Sequence, residues 1–220
     1  MTIFMVLSIS TVLSNFSGKR RVILPLLKPI EEGMMRTITV MNRITLDGFF
    51  DGPNGENDWF IPDGEVDKAV HEMVPTSDRL LFGRVTYQHM ERFWPTVTDA
   101  FPEPVREMAK EMNGMLKLVF SRTLKQVPWE NSQIMTGDLI EEVTRLKQGD
   151  GAGLLIFGSG SLVQPLTDAG LIDHYVFILT PTVLGQGKPQ FKQNHKVDLT
   201  LVESRSFKTG NVVLHYTLNK

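Results

Sequence analysis

Three apolar, strand-like runs end abruptly in small or hydroxyl residues. They are Leu80-Leu81-Phe82-Gly83-Arg84-Val85-Thr86-Tyr87, Lys117-Leu118-Val119-Phe120-Ser121-Arg122-Thr123 and Leu154-Leu155-Ile156-Phe157-Gly158-Ser159-Gly160-Ser161. Each reads as a buried strand whose carboxyl end opens into a loop. In open α/β sheets that edge is where ligands bind. Bare backbone N–H groups, hydroxyls and the guanidinium groups of Arg84 and Arg122 together suit phosphate oxygens. A nucleotide cofactor is therefore the expected ligand.

Other chemistries fit the residues less well. Gly158-Ser159-Gly160-Ser161-Leu162-Val163 has only the first two glycines of the dinucleotide fingerprint and lacks an acidic residue about twenty positions on. Gly185-Gln186-Gly187-Lys188-Pro189 ends like a phosphate-binding P-loop, but proline stands where the magnesium-binding hydroxyl belongs. His71, His89, His174, His195 and His215 show no metal-ligand spacing, and the absence of cysteine removes disulfides, thiolate zinc sites and cysteine nucleophiles. No metal site is expected. A net charge of -2 gives no general attraction to nucleic acid or anionic membrane. With 220 residues, 41% of them hydrophobic, the chain is long enough for one domain with a sizeable core. Zero cysteine fits a reducing, cytoplasmic setting.

The elements that must position these residues alternate from Met35 onward. Arg36 to Ile44, Arg79 to Phe82, Lys117 to Phe120 and Leu154 to Phe157 read as strands, with a short one near Ile134-Met135. Gly64 to Val74, Arg84 to Trp94 and Glu103 to Asn113 read as helices, the last stopped by Gly114. In the second, Tyr87, Met90 and Trp94 share a core-facing stripe. Asp138 with Glu141 has capping-box spacing ahead of Leu139, Val143 and Leu146, and Gly149 ends that helix. Ser161 with Gln164 offers a second capping box, with Pro165 just behind it. Asp173 to Thr180, Thr200 to Phe207 and Val212 to Leu218 read as strands, the last two a hairpin around Thr209-Gly210-Asn211. The expected fold is α/β: a mostly parallel mixed sheet in three layers, with an antiparallel carboxyl-terminal hairpin. Residues 1–34 read as a non-core extension, too short in apolar length for a membrane span and with its basic cluster after the apolar run. Residues 35–220 form the domain.

Five motifs in this order carry a family resemblance: Thr45-Leu46-Asp47-Gly48; Leu81-Phe82-Gly83-Arg84 with Thr86-Tyr87; Phe120-Ser121-Arg122; Ile156 to Leu162; and Thr180 to Pro189 preceded by Gly170-Leu171-Ile172-Asp173. Together they resemble the dihydrofolate reductase superfamily, and within it the branch of the carboxyl-terminal reductase domain of riboflavin-biosynthesis enzymes. The resemblance covers about Arg36 to the end. It implies an NADPH-dependent reductase of a pyrimidine- or pteridine-like heterocycle, with a non-catalytic nucleotide- or flavin-binding protein of the same fold as the alternative.

The resemblance also assigns roles. Gly83, Arg84, Thr86 and Gly158, Ser159, Gly160, Ser161 and Leu162 hold the cofactor's pyrophosphate, while Ser121 and Arg122 meet the adenosine 2′-phosphate. Thr45 and Asp47 lie in the nicotinamide-facing loop, with Asp47 the first carboxylate to name for catalysis and Asp63 the second. Asp47-Gly48 is also an ordinary turn pair, and Asp63 is also placed to cap Gly64 onward. Met41 and Arg43 stand where riboflavin-pathway reductases usually carry a lysine and a small residue. The zinc-dependent deaminase half of the bifunctional enzymes is missing, so this is a stand-alone reductase-like domain, and a homodimer is possible.

Overall fold

The computed structural model describes residues 35–192 and 196–219; the expected extension, residues 1–34, lies outside them. Five helices are found among the described residues: α1 (Gly64–Met73), α2 (Arg84–Glu91), α3 (Glu103–Gly114), α4 (Leu139–Lys147) and α5 (Gly160–Asp168). The main sheet is built from β1 (Ile38–Thr45), β3 (Ser77–Gly83), β4 (Leu116–Phe120), β5 (Ser132–Met135), β6 (Gly153–Phe157), β7 (His174–Thr180), β9 (Leu199–Ser206) and β10 (Val212–Leu218). Two short strands, β2 (Phe49–Asp51) and β8 (Lys188–Pro189), pair separately.

The sheet runs in the order β5-β4-β3-β6-β1-β7-β10-β9. From β5 to β7 every pair is parallel, and β10 is antiparallel to both of its neighbours. The carboxyl-terminal hairpin turns at Gly210, whose φ of +86° suits glycine.

Alternation along each strand sorts its side chains to two faces. Leu81, Leu154, Ile156, Tyr175 and Phe177 pack with Val143 of α4 and Leu162, Val163 and Leu166 of α5. On the other face, Leu80, Phe82, Val119 and Leu155 meet Tyr87 and Met90 of α2 and Ala109 and Met112 of α3. There, too, Val176, Ile178 and Val213 meet Val66, Val70 and Met73 of α1. Layers of helix on both faces of a parallel sheet bury its central strands twice over.

Three expectations are adjusted. The second helix stops at Glu91, and Trp94 belongs to a separate 3₁₀ turn, Trp94–Thr96, although the Tyr87, Met90, Trp94 stripe is core as expected. The capping box at Ser161 does not form: α5 starts at Gly160 with Ser159 before it, and Ser161 is an exposed residue inside the first turn. The Gln164 side chain donates instead to the Pro189 carbonyl. The third adjustment is the β2–β8 ribbon, which periodicity over three residues is too short to announce.

Candidate active site

The turns after β3 and β6 are locked to each other. The Gly83 amide donates to Ser159 Oγ at 3.0 Å, and the Ser159 amide donates to Thr86 Oγ1 at 3.1 Å. Gly158 and Ser159 both take positive φ, +54° and +52°. For serine this costs about 1–2 kcal/mol, which the two cross-turn bonds help offset. Asn42 of β1, 4% exposed, holds Gly158 from the other side: its Oδ1 accepts from the Gly158 amide at 2.5 Å and its Nδ2 donates to the Gly158 carbonyl and to Gln190 Oε1. A Cβ at Gly83 would lie 2.8 Å from Ser161 Oγ, so a larger residue there would displace that hydroxyl. At Gly160 a Cβ would lie 2.8 Å from the Phe50 ring.

This clamp sets the amino ends of α2 and α5 side by side. Neither helix has a side-chain cap or an acidic residue in its first turn. The register Gly83↔Phe120 brings the end of β4 alongside, so Ser121 and Arg122 leave the sheet next to Arg84. Ser121 Oγ accepts from the Thr123 and Leu124 amides and shapes that turn. Arg84 contacts Gln88 Oε1, and neither Arg84 nor Arg122 has a carboxylate partner among the described residues. Bare helix starts beside two guanidinium groups without a carboxylate partner have the chemistry that suits an anion. The residues present therefore fit a dinucleotide's phosphates.

The loop after β1 closes the far side. Thr45 Oγ1 donates to Asp47 Oδ1 at 2.6 Å and accepts from the Phe49 amide. Asp47 also accepts from the Leu184 and Gly185 amides at 3.2 and 2.7 Å, so its carboxylate ties this loop to the 182–187 turn. The Thr45 hydroxyl, followed by the two amides, holds the Asp47 pKa below the usual range despite slight desolvation, and the carboxylate stays ionised. The resulting flap, β2 paired with β8, carries the Phe50 ring onto Gly160.

On the α1 side, Asp63 is the helix cap: Oδ1 accepts from the Glu65 and Val66 amides, and Oδ2 from Thr209 Oγ1 at 2.5 Å. Its oxygens are thus occupied in fixing the helix to the β9–β10 turn. One turn on, Asp67 faces Arg43 of β1 at 3.4 Å. Burial pushes the Asp67 pKa up to about 7; Arg43 opposes the shift and Asp63 adds to it. Burial likewise lowers the Arg43 pKa against the pull of Asp67 and Asp63. Sequence reading passed over Asn42 and Asp67, and noted Arg43 only as a departure from the family pattern. One signal was available: β1 is buried on both faces, yet carries Asn42-Arg43 in its middle, where apolar residues are the rule.

A mostly parallel eight-stranded sheet with helices on both faces and an antiparallel end is a dihydrofolate reductase-like fold. Residues 36–213 match the RibD C-terminal domain, and the chain belongs to that family. It is 33% identical to the Bacillus subtilis (strain 168) protein YyaP over 186 residues, 84% of this chain and 96% of the relative. Among solved structures it is similar to a protein described as belonging to riboflavin biosynthesis, from Shewanella sp. PV-4 (TM-score 0.62, 20% identity, 84% of this chain and 99% of the other). It is also similar in fold to the Enterococcus faecalis dihydrofolate reductase, solved in complex with NADP(H) and RAB-propyl (TM-score 0.56, 13% identity, 85% and 99%). Among the described residues no helix is long and apolar enough to cross a membrane.

Proposed function

We propose that this chain is an NADPH-dependent oxidoreductase that reduces a pyrimidine- or pteridine-like heterocycle, of the type that reduces 5-amino-6-(5-phosphoribosylamino)uracil. The observation that carries the reading is the pair of bare helix starts, α2 and α5, clamped through Gly83, Thr86 and Ser159 beside Arg84 and Arg122. When bound, reduced NADPH supplies a hydride to an electrophilic carbon of the substrate and leaves as NADP⁺, so a proton must reach the neighbouring heteroatom.

The chain's own residues divide the remaining tasks. The amides of Gly160, Ser161 and Leu162 and the Arg84 side chain hold the pyrophosphate, and Ser121 and Arg122 receive the 2′-phosphate. Thr45 and Asp47 keep the flap in place, and Phe50 shields the edge from water. Of the three carboxylates, Asp67 is the proton donor: Asp47 is held ionised and Asp63 caps a helix, whereas Asp67, half-buried against Arg43, has its pKa pushed up to about 7.

Titration of NADPH and NADH into the wild type and Arg122→Ala tests the reading. A lost charge-assisted contact costs about 1.5–3 kcal/mol, so NADPH should weaken roughly ten- to a hundredfold. NADH, which lacks the 2′-phosphate, should change far less. Parallel affinities in the two proteins would remove Arg122 from the site and, with it, the preference for NADPH.

A further inference from the structure

Asn42 and Gln190 are 4% and 1% exposed, and each side-chain amide has an acceptor at one end and a donor at the other. Buried amides normally have both ends matched. Asn42 does: its Oδ1 accepts from the Gly158 amide, and its Nδ2 donates to Gln190 Oε1 at 2.8 Å and to the Gly158 carbonyl at 3.3 Å. Gln190 does not. Its Nε2 is buried with no hydrogen-bond partner among the described residues. An apolar side chain would avoid that cost, so what glutamine adds here is its acceptor end, which faces the Asn42 amide.

The direction of these bonds matters. Turned over, Gln190 would set one NH₂ group against another, and Asn42 turned over would set its NH₂ group against the Gly158 N–H. Gln190 thus fixes which end of Asn42 meets which side of Gly158. The turn needs that hold: Gly158 and Ser159 are consecutive residues at positive φ, and they lead into the uncapped start of α5. The segment carrying Gln190 is anchored by other means. The Gln190 amide donates to the Gly48 carbonyl at 2.9 Å, the Pro189 carbonyl accepts from Gln164 of α5, and the Phe191 ring packs on Tyr175 and Phe177. Backbone bonds and ring packing therefore hold the segment without the Gln190 side chain.

Resting on the reductase reading above, we propose that Asn42 and Gln190 are positioning residues for a dinucleotide's pyrophosphate. Both act through the turn. Gln190 orients the Asn42 amide, Asn42 holds the Gly158 peptide, and that peptide sets the angle at which the first amides of α5 meet phosphate oxygens. The pyrophosphate is common to NADPH and NADH, so the pair acts on both cofactors equally, whereas Arg122 acts on NADPH.

Gln190→Met keeps the length of the side chain and removes both polar ends. It should weaken NADPH and NADH by the same factor, about three- to tenfold for one hydrogen bond lost from the network, with an unfolding temperature near that of the wild type. Hydrogen exchange followed by NMR reads the turn without any ligand: the Gly158 amide should be protected in the wild type and exchange faster in the variant. A Gly158 amide that exchanges freely in the wild type overturns the proposal with no variant. So does a folded Gln190→Met with unchanged affinities, or one that loses NADPH alone. A variant that does not fold also overturns it, because the side chain would then be holding the segment. If the wild type binds neither nucleotide, the cofactor reading falls, while faster exchange at Gly158 in the variant still supports the positioning of the turn, so the two fail separately.

Discussion

Helices α1 and α4 begin with an aspartate that accepts from two first-turn amides, and each follows it with two more acids, Glu65 and Asp67 in one and Glu141 and Glu142 in the other. Helices α2 and α5 begin with Gly83 and Ser159, neither of which caps by its side chain, and have no acid in the first turn. The same backbone end thus occurs in two forms. The first satisfies its own amides and complements its dipole internally; the second leaves both available. The bare pair is also the pair that the Gly83–Ser159–Thr86 clamp joins. Stability is forgone at two helix starts and gained at two others, which is the pattern expected where an outside anion completes the structure.

Converting a bare start into an acidic one should produce the largest effect. Ser161 is exposed in the first turn of α5, so Ser161→Asp places a carboxylate at the proposed phosphate position while favouring the free helix by about 0.5 kcal/mol. Like-charge contact at an interface costs several kcal/mol, so NADPH should weaken roughly a hundredfold with no loss of melting temperature. Unchanged affinity would mean that the two kinds of helix start differ for reasons unrelated to a ligand.

The acidic start of α1 should reveal itself by its pH dependence. Asp67 titrates at about 7 in the folded chain against 3.8 when free. Between those values the folded state keeps a proton that the unfolded chain has released. Its contribution is complete below pH 3.8, falls as pH rises through the window, and is lost above about 7. Asp67→Asn cannot titrate, so the wild type should lose stability relative to the variant across that window, on the order of 2 kcal/mol given the carboxyl's partial exposure. Denaturant unfolding of both proteins at several pH values gives the difference; a wild type that gains on the variant as pH rises would show Asp67 held as a strong acid.

The smallest effect belongs to α4, far from the clamp. Asp138→Ala removes a cap on two amides and should cost about 1 kcal/mol in chemical denaturation while leaving NADPH affinity unchanged. A matching loss of cofactor affinity would blur the division between structural and ligand-binding helix starts.

Which features were legible follows from the range of the interactions behind them. Alternation along β3, β6 and β7 and the stripe Tyr87, Met90, Trp94 depend on neighbours within a few residues, and the observed faces follow them. The caps at Asp63 and Asp138 join a side chain to amides two and three positions on, so local spacing announces them. Local spacing also offered Ser161 as a cap, and there a distant partner prevailed: Ser159 Oγ accepts from Gly83, 76 residues away, and Ser159, not Ser161, stands at the helix start. Asp47 bonds to amides 137 and 138 residues on, which turns a candidate acid into a tie between loops.

From the amino-acid order alone came the strands of the main sheet, most helix limits, the two-faced core and the positions of the glycine turns, because short-range sterics and periodic burial dictate all of these. Strand order placed β4, β3, β6 and β1 side by side, and so gathered Arg122, Arg84, Ser159 and Asn42 at one edge. It also set Arg43 against Asp67, with Asn211 beside it. Only the tertiary structure decided those meetings, because a charge's partner and its degree of burial depend on which distant segments pack against it, and no local pattern encodes that.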